Sequence, residues 1–200
     1  MKKKLLLSLG VVLAVYVVAW ALAGPEQKLQ PGDPAPAIQV TDIHGTAVAV
    51  PNARAKWTHV QFRRFAGCPI CNLHVQEFVQ RHAELAAAGI QEVVIYHSPP
   101  ASLLPYQGKF PFAVVADPEK AIYRQYGVGT SVFALLDVRA WPAIVKGASA
   151  ADKPKGDPEG GALGRPADFL ISPEGRIVAS HYGRHAFDQW SVDELLRLAK

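Results

Sequence analysis

The fold class that the sequence predicts is an α/β sandwich around a mixed sheet, on three observations. Short apolar, β-branched runs alternate with helical patterns through most of the chain. A hairpin pattern followed by one last helix closes it. Both cysteines stand three apart where a strand pattern gives way to a helix, in FRRFAGCPICNLH (62–74). With 200 residues, half of them hydrophobic, the chain can bury one sizeable core.

Residues 1–23 begin with Lys2, Lys3 and Lys4 and continue as an uncharged apolar run from Leu5 to Ala23. A positive cluster before roughly 20 apolar residues predicts an N-terminal hydrophobic helix. It is either a membrane anchor or a signal peptide, with Ala21-Leu22-Ala23 as the cleavage site. Under both readings the lysines stay inside and the rest of the chain is extracytoplasmic. In a bacterium that means the periplasmic face of the inner membrane, or the periplasm after cleavage. Outside this segment 18 basic residues meet 17 acidic ones, a net +1 that the whole-chain value of +4 conceals. No basic stripe is left for nucleic acid.

Residues 24–36 (GPEQKLQPGDPAP) read as a Pro-rich linker and residues 37–200 as the folded domain. AIQVTDIHGTAVAV (37–50) alternates about His44-Gly45 and predicts a hairpin. KWTHVQF (56–62) predicts a strand, and Ala66-Gly67 turns it into the helix PICNLHVQEFVQRHAELAAA (69–88), which Gly89 stops. Ile70, Leu73, Phe78, Leu85 and Ala86 would share its buried face. IQEVVIYH (90–97) fits a buried strand, SPPASLLPYQGKFP (98–111) a loop around a short helix, and FAVVA (112–116) another strand. Asp117-Pro118-Glu119 would open a helix with Asp as cap, ended by Gly127. Residues 129–164 read as an insertion, an apolar piece and then a loop-like stretch. DFLIS, the turn Pro173-Glu174-Gly175 and RIVASHY predict a hairpin. SVDELLRLA (191–199) is a helix capped by Ser191, with Glu194 three residues on.

The spacing of Cys68 and Cys71 argues against a structural staple, because so small a loop restricts the unfolded chain little. A Cys-x-x-Cys at a helix start after a strand reads instead as a thioredoxin-like redox pair. The unsatisfied N–H groups and the helix dipole at Cys68 favour a thiolate. Pro69 suits the first turn, which needs no N–H there. Cys71, one turn on, would be the more buried, resolving sulfur beneath an exposed, attacking Cys68. Arg63 and Arg64 alternate, so one of them at most faces the sulfur. A metal site is the rival reading: Cys68, Cys71 and His74 could bind zinc or copper(I), completed by His181 or His185. Haem attachment is ruled out by Asn72. His74 and His82 read as surface or half-buried residues, His59 as packing, and Trp57 and Trp141 as core or insert packing. His97 ends a strand from which it could approach the site, and Asp168 lies near the sheet, where it could relay a proton.

Cys68-Pro69-Ile70-Cys71 resembles the active-site tetrad of thioredoxin-fold oxidoreductases, with proline placed as in glutaredoxins. PGDPAPAIQVTDIHG, FRRFAGCPIC, ADPEKAIYRQYGVG and DFLISPEGRIVASHY together resemble the peroxiredoxin-like branch of the alkyl hydroperoxide reductase/thiol-specific antioxidant superfamily. The resemblance runs from about Gly32 to Lys200. It implies a thioredoxin-like three-layer sandwich and a thiol-dependent oxidoreductase with Cys68 and Cys71 as catalytic residues. Pro69, Arg64, Arg165 and Pro166 would support them. The implied partners are an external dithiol reductant and a peroxide or protein disulfide substrate, with no metal or organic cofactor. Pro166 stands where thioredoxins keep a cis-proline, or is an ordinary proline at a strand start. Arg165 resembles the peroxiredoxin active-site arginine, one residue out of register. Typical peroxiredoxins carry P-x-x-x-T-x-x-C, whose threonine and proline shape the peroxide pocket. Phe65 and Gln61 occupy those positions here, so the resemblance implies dithiol–disulfide exchange more directly than peroxide reduction.

Overall fold

The computed structural model describes residues 28–130 and 163–200, together with positions 142, 145 and 161. The expected N-terminal helix (1–23), most of the linker and nearly all of the insertion lie outside these residues. No helix among the described residues is long and apolar enough to cross a membrane.

The chain opens with an antiparallel hairpin of β1 (Ile38–Thr41) and β2 (Ala47–Val50). Its turn is built by Asp42, whose carboxylate accepts the N–H groups of His44 and Thr46 at 2.9 and 2.8 Å. The main sheet then forms from β3 (Trp57–Phe62), β4 (Ile90–Tyr96), β5 (Ala113–Ala116), β6 (Ala167–Ile171) and β7 (Ile177–Tyr182), in the order β5-β4-β3-β6-β7. β3, β4 and β5 run parallel, while β6 is antiparallel to both β3 and β7. The sheet is therefore mixed, as the run of motifs predicts.

Alternation along β3 divides the core. Val60 and Phe62 face one side, with Val93, Ile95, Phe169 and Ile171, and pack against the hairpin and the short helix α4 (Ala121–Gln125). Phe62 is fully buried, with the rings of Tyr123, Tyr126 and Phe169 at 4.9, 5.1 and 5.7 Å. The opposite side packs against α1 (Pro69–Gln80), α2 (His82–Ala87), α3 (Pro100–Gln107) and α5 (Val192–Leu198). Three layers result.

Two helical expectations need correction. The predicted helix over 69–88 breaks at Arg81, whose φ of −103° and ψ of 17° leave the helical region. Its carbonyl is shared by the N–H groups of Glu84 and Leu85, which tightens the turn, and its guanidinium pairs with Glu77, Glu84 and, on α5, Asp193. The buried face of α1 is Ile70, Cys71, His74, Val75 and Phe78, continued by Leu85 on α2, whereas Leu73 is half-buried and Ala86 exposed. The second correction concerns Asp117. It caps α4 from farther upstream than expected, accepting the N–H groups of Ala121, Ile122 and Tyr123 at 2.9, 2.8 and 3.1 Å, and Lys120 occupies the N-cap position.

Candidate active site

The site forms where β3 ends. The Arg63 N–H still bonds to Ile95 of β4, at 2.9 Å, and the chain then turns at Gly67, whose φ of 65° suits a residue without Cβ. Cys68 is the N-cap of α1 and Pro69 follows in the first turn. Three donors converge on Cys68 Sγ: the Cys71 thiol at 2.6 Å, Arg64 Nη2 at 3.0 Å and the Cys71 N–H at 3.4 Å. A disulfide bond is about 2.05 Å long, so closing this pair needs only a small movement of either side chain.

Cys68 does not stand exposed above a buried partner: it is 0 % exposed and Cys71 2 %. Ile43 from the β1–β2 turn, Leu103 of α3 and Ala186 from the segment after β7 complete an apolar cluster around both sulfurs, with Phe65 packed against it. Burial alone would raise both thiols. At Cys71 it is outweighed by the hydrogen bond with Cys68 and by the charge and hydrogen bonds of Arg64, which bring the thiol down to about 5. Cys68 is pushed up by burial and by its hydrogen bond and charge coupling with Cys71, against the opposing effect of Arg64. With one proton between adjacent sulfurs, the single negative charge belongs to the pair. The pair yields its first proton readily and holds the second.

Of the two arginines, Arg64 lies at the sulfurs and Arg63 turns to the other network described below. Tyr123 braces this junction: its hydroxyl donates to the carbonyls of Arg63 and Ile95. Gly164 passes so close that a Cβ there would come within 3.1 Å of His97 Nε2 and 3.5 Å of Arg64 Cγ, which brings β4's end, Arg64 and the start of β6 together. The Arg165–Pro166 bond is trans, and the cis bond among the described residues is Val50–Pro51. Pro166 is buried and its carbonyl accepts the Gly183 N–H at 2.9 Å, so it serves as the start of the β6–β7 ladder. Arg165 donates its N–H to Gly129, and no hydrogen bond or ion pair joins it to either sulfur.

A second cluster was not anticipated. His59, Gln61, Arg63, Glu92 and Asp168, all within 2 % of complete burial, form one connected network on the helix-covered side of the sheet. His59 Nδ1 lies 2.9 Å from Glu92 and its Nε2 3.3 Å from Asp168, while Arg63 Nη2 donates to Asp168 and to Gln61, both at 2.7 Å. Gln61 donates in turn to Glu92 at 2.6 Å. Burial lowers the pKa of His59, but the Glu92 and Asp168 carboxylates outweigh it and raise it to about 9. The charges then balance, two against two. Polar residues at every second position along β3 and just past its end (59, 61, 63) are the available signal. Gln61 thus has a structural task at the position where typical peroxiredoxins place proline.

His74 is buried, not half-exposed, with its ring against Phe78 and Phe187 at 5.1 and 6.1 Å. Burial and the Arg63 charge hold its pKa down to about 3. His181 pairs with Asp188 at 2.9 Å. Cys68, Cys71 and His74 do not assemble with His181 or His185 as a metal site. Among the described residues no group of three or more His, Cys, Asp or Glu side chains is placed to hold a metal ion.

A model of the AhpC/TSA family matches residues 31–180. A protein of Mycobacterium tuberculosis strain H37Rv that carries the provisional name peroxiredoxin Rv2521 is 26% identical over 102 residues, half of this chain and 65% of that protein. The crystal structure of the peroxidoxin BcpB from Mycobacterium tuberculosis superposes with a TM-score of 0.60 at 15% identity, covering 86% of this chain and 96% of that one. A Chlorobium tepidum structure, provisionally a thiol:disulfide interchange protein DsbE, gives 0.57 at 19% identity over 86% and 100%. Likeness at such identities establishes a thioredoxin-like fold, and it is shared by peroxide-named and disulfide-named proteins alike.

Proposed function

Because the chain belongs to the AhpC/TSA family, we propose that it is a thiol-dependent oxidoreductase in which Cys68 attacks and Cys71 resolves. The observation that carries this reading is the dithiol at the start of α1, its sulfurs 2.6 Å apart and Arg64 Nη2 3.0 Å from Cys68. Three donors on Cys68 Sγ stabilise the thiolate there at the moment of attack. Arg64 keeps the charge on the pair, and Pro69 opens the helix without an N–H to satisfy.

The burial of both sulfurs favours a small oxidant. A hydroperoxide needs little room, whereas a protein disulfide requires the packing around the two buried sulfurs to open. In the peroxide reaction the Cys68 thiolate attacks one oxygen, an S–O bond forms and the O–O bond breaks. The leaving oxygen takes the proton held by the pair or one from solvent, giving alcohol or water. Cys71 sulfur then attacks the Cys68 sulfur of the sulfenic acid, the S–S bond forms as the S–O bond breaks, and the departing hydroxide takes a proton from Cys71 or from solvent and leaves as water. Two electrons have passed from the dithiol to the peroxide. An external dithiol returns them through a mixed disulfide. Disulfide exchange is the second reading, favoured by the Cys-x-x-Cys spacing and by Phe65 in place of threonine.

The location inferred for this chemistry is extracytoplasmic, on the periplasmic face of an inner membrane or free in the periplasm. Its support is the charge and hydropathy pattern of residues 1–23.

The test is a stopped-flow experiment on the reduced full chain mixed with hydrogen peroxide, with Cys68→Ser as control. Thiol loss far faster than that of an ordinary thiolate at the same pH establishes peroxide reduction. Loss at the ordinary rate rejects it and leaves disulfide exchange as the chemistry.

A further inference from the structure

Among the described residues the hydroxyl of Tyr96 has no hydrogen-bond partner, although Tyr96 is 0 % exposed. Leaving a buried hydroxyl unpaired costs stability, and such groups in native structures call for an explanation. Tyr96 is the last residue of β4, and its side chain belongs to the same packed cluster as Cys68, Ile70 and Cys71. Its neighbours Tyr123 and Tyr126 show the usual arrangement: their hydroxyls donate to the carbonyls of Arg63 and Ile95, and of Pro36. Tyr96 differs from both in that its hydroxyl bonds to none of the described residues.

Phe65, packed against the dithiol's cluster, has no hydroxyl to offer a peroxide oxygen. Resting on the peroxide reading above, we propose that the Tyr96 hydroxyl is a catalytic hydrogen-bond donor, held at the dithiol to bind the peroxide oxygen that leaves as the S–O bond forms. Burial and the negative charge of the cysteine pair keep the phenol protonated far beyond neutral pH, against the opposing charge of Arg63, so it remains a donor wherever the thiolate is present. As the O–O bond breaks, the departing oxygen gains charge. A donor already in place there would stabilise the transition state more than the resting peroxide. The departing oxygen still takes its proton from the thiol pair or from solvent, and Tyr96 ends the step as it began, protonated.

The discriminating variant is Tyr96→Phe, which keeps the ring and its packing and removes only the oxygen. The full chain and the variant are compared in three measurements: thiol loss with hydrogen peroxide, alkylation by iodoacetamide, and thermal unfolding. The inference expects the peroxide rate to fall about 100-fold, the usual cost of one lost oxyanion donor. Alkylation, which presents no oxygen to the hydroxyl, should change less than about twofold at each pH. The unfolding temperature should hold or rise, because the deleted group had no partner to lose. An unchanged peroxide rate in a native enzyme that is itself fast overturns this inference alone. A native enzyme no faster than a free thiolate overturns the peroxide reading and this inference with it. A peroxide rate that falls only in proportion to alkylation also overturns it, since Tyr96 then acts on the thiolate and not on the oxygen.

Discussion

The guanidinium of Arg64 reaches Cys68 at 3.0 Å from a residue only 3 % exposed, so its charge acts on the sulfurs with little screening. Arg64→Gln leaves burial unopposed. The pH midpoint of iodoacetamide alkylation should then rise by about 1–3 units, the usual effect of losing an adjacent opposite charge. An unmoved midpoint would show that the helix N-terminus alone holds the thiolate. Two of the buried histidines, His59 and His74, make opposite contributions to stability. His59 has its pKa raised to about 9, so the imidazolium's contribution is complete below the unfolded value of ~6.5 and lost as pH rises through 9. His74 is held neutral down to about 3, while the unfolded chain takes up its proton below ~6.5, so stability falls as pH drops from there. Urea unfolding between about pH 4 and pH 10 should therefore lose stability on both limbs. His74→Phe should flatten the acid limb and spare the alkaline one; equal limbs in the variant would contradict this assignment.

Among the elements, α4 depends most on a single residue. Asp117 satisfies three of its N–H groups, and α4 carries Tyr123, whose hydroxyl ties Arg63 and Ile95 at the foot of the site. Asp117→Ala should cost about 1–2 kcal/mol in chemical denaturation, the upper range for a lost cap. Asp117→Asn, which retains acceptor geometry, should cost less. The strands, both hairpins and the capped last helix were legible because local periodicity and turn residues specify them: His44-Gly45, Gly175 and Ser191 each act where pattern reading puts them. The break at Arg81 was not legible. Neither glycine nor proline marks it, and the ion pairs at that turn include one from Asp193, 112 positions away in the chain. The placement of Cys68 at a helix start was equally local and equally readable. Its burial was not, because Ile43, Leu103 and Ala186 arrive from three distant segments.

For the molecule as a whole, the central strand β3 has two roles. One face builds the aromatic core around Phe62, and the other holds the His59–Glu92–Asp168–Arg63 network beneath α1. The three strands that supply it come from residues 59, 92 and 168, so no window of sequence could balance those charges. Asp168→Asn leaves Arg63 and His59 facing a single carboxylate and should destabilise the fold by about 3–5 kcal/mol, as breaking a buried ion pair does. A loss below about 1 kcal/mol would mean that the network relaxes without it. The central claim, that Cys68 attacks and Cys71 resolves, is tested most directly by trapping. Full-length Cys71→Ser and Cys68→Ser, each reduced, are mixed with a small aromatic disulfide at neutral pH and examined by intact-mass spectrometry after an acid quench. The account predicts a stable mixed disulfide that accumulates rapidly on Cys68 in the first variant, and only slow, background labelling of Cys71 in the second. Rapid labelling of Cys71 with an inert Cys68 would contradict it and reverse the roles of the two sulfurs.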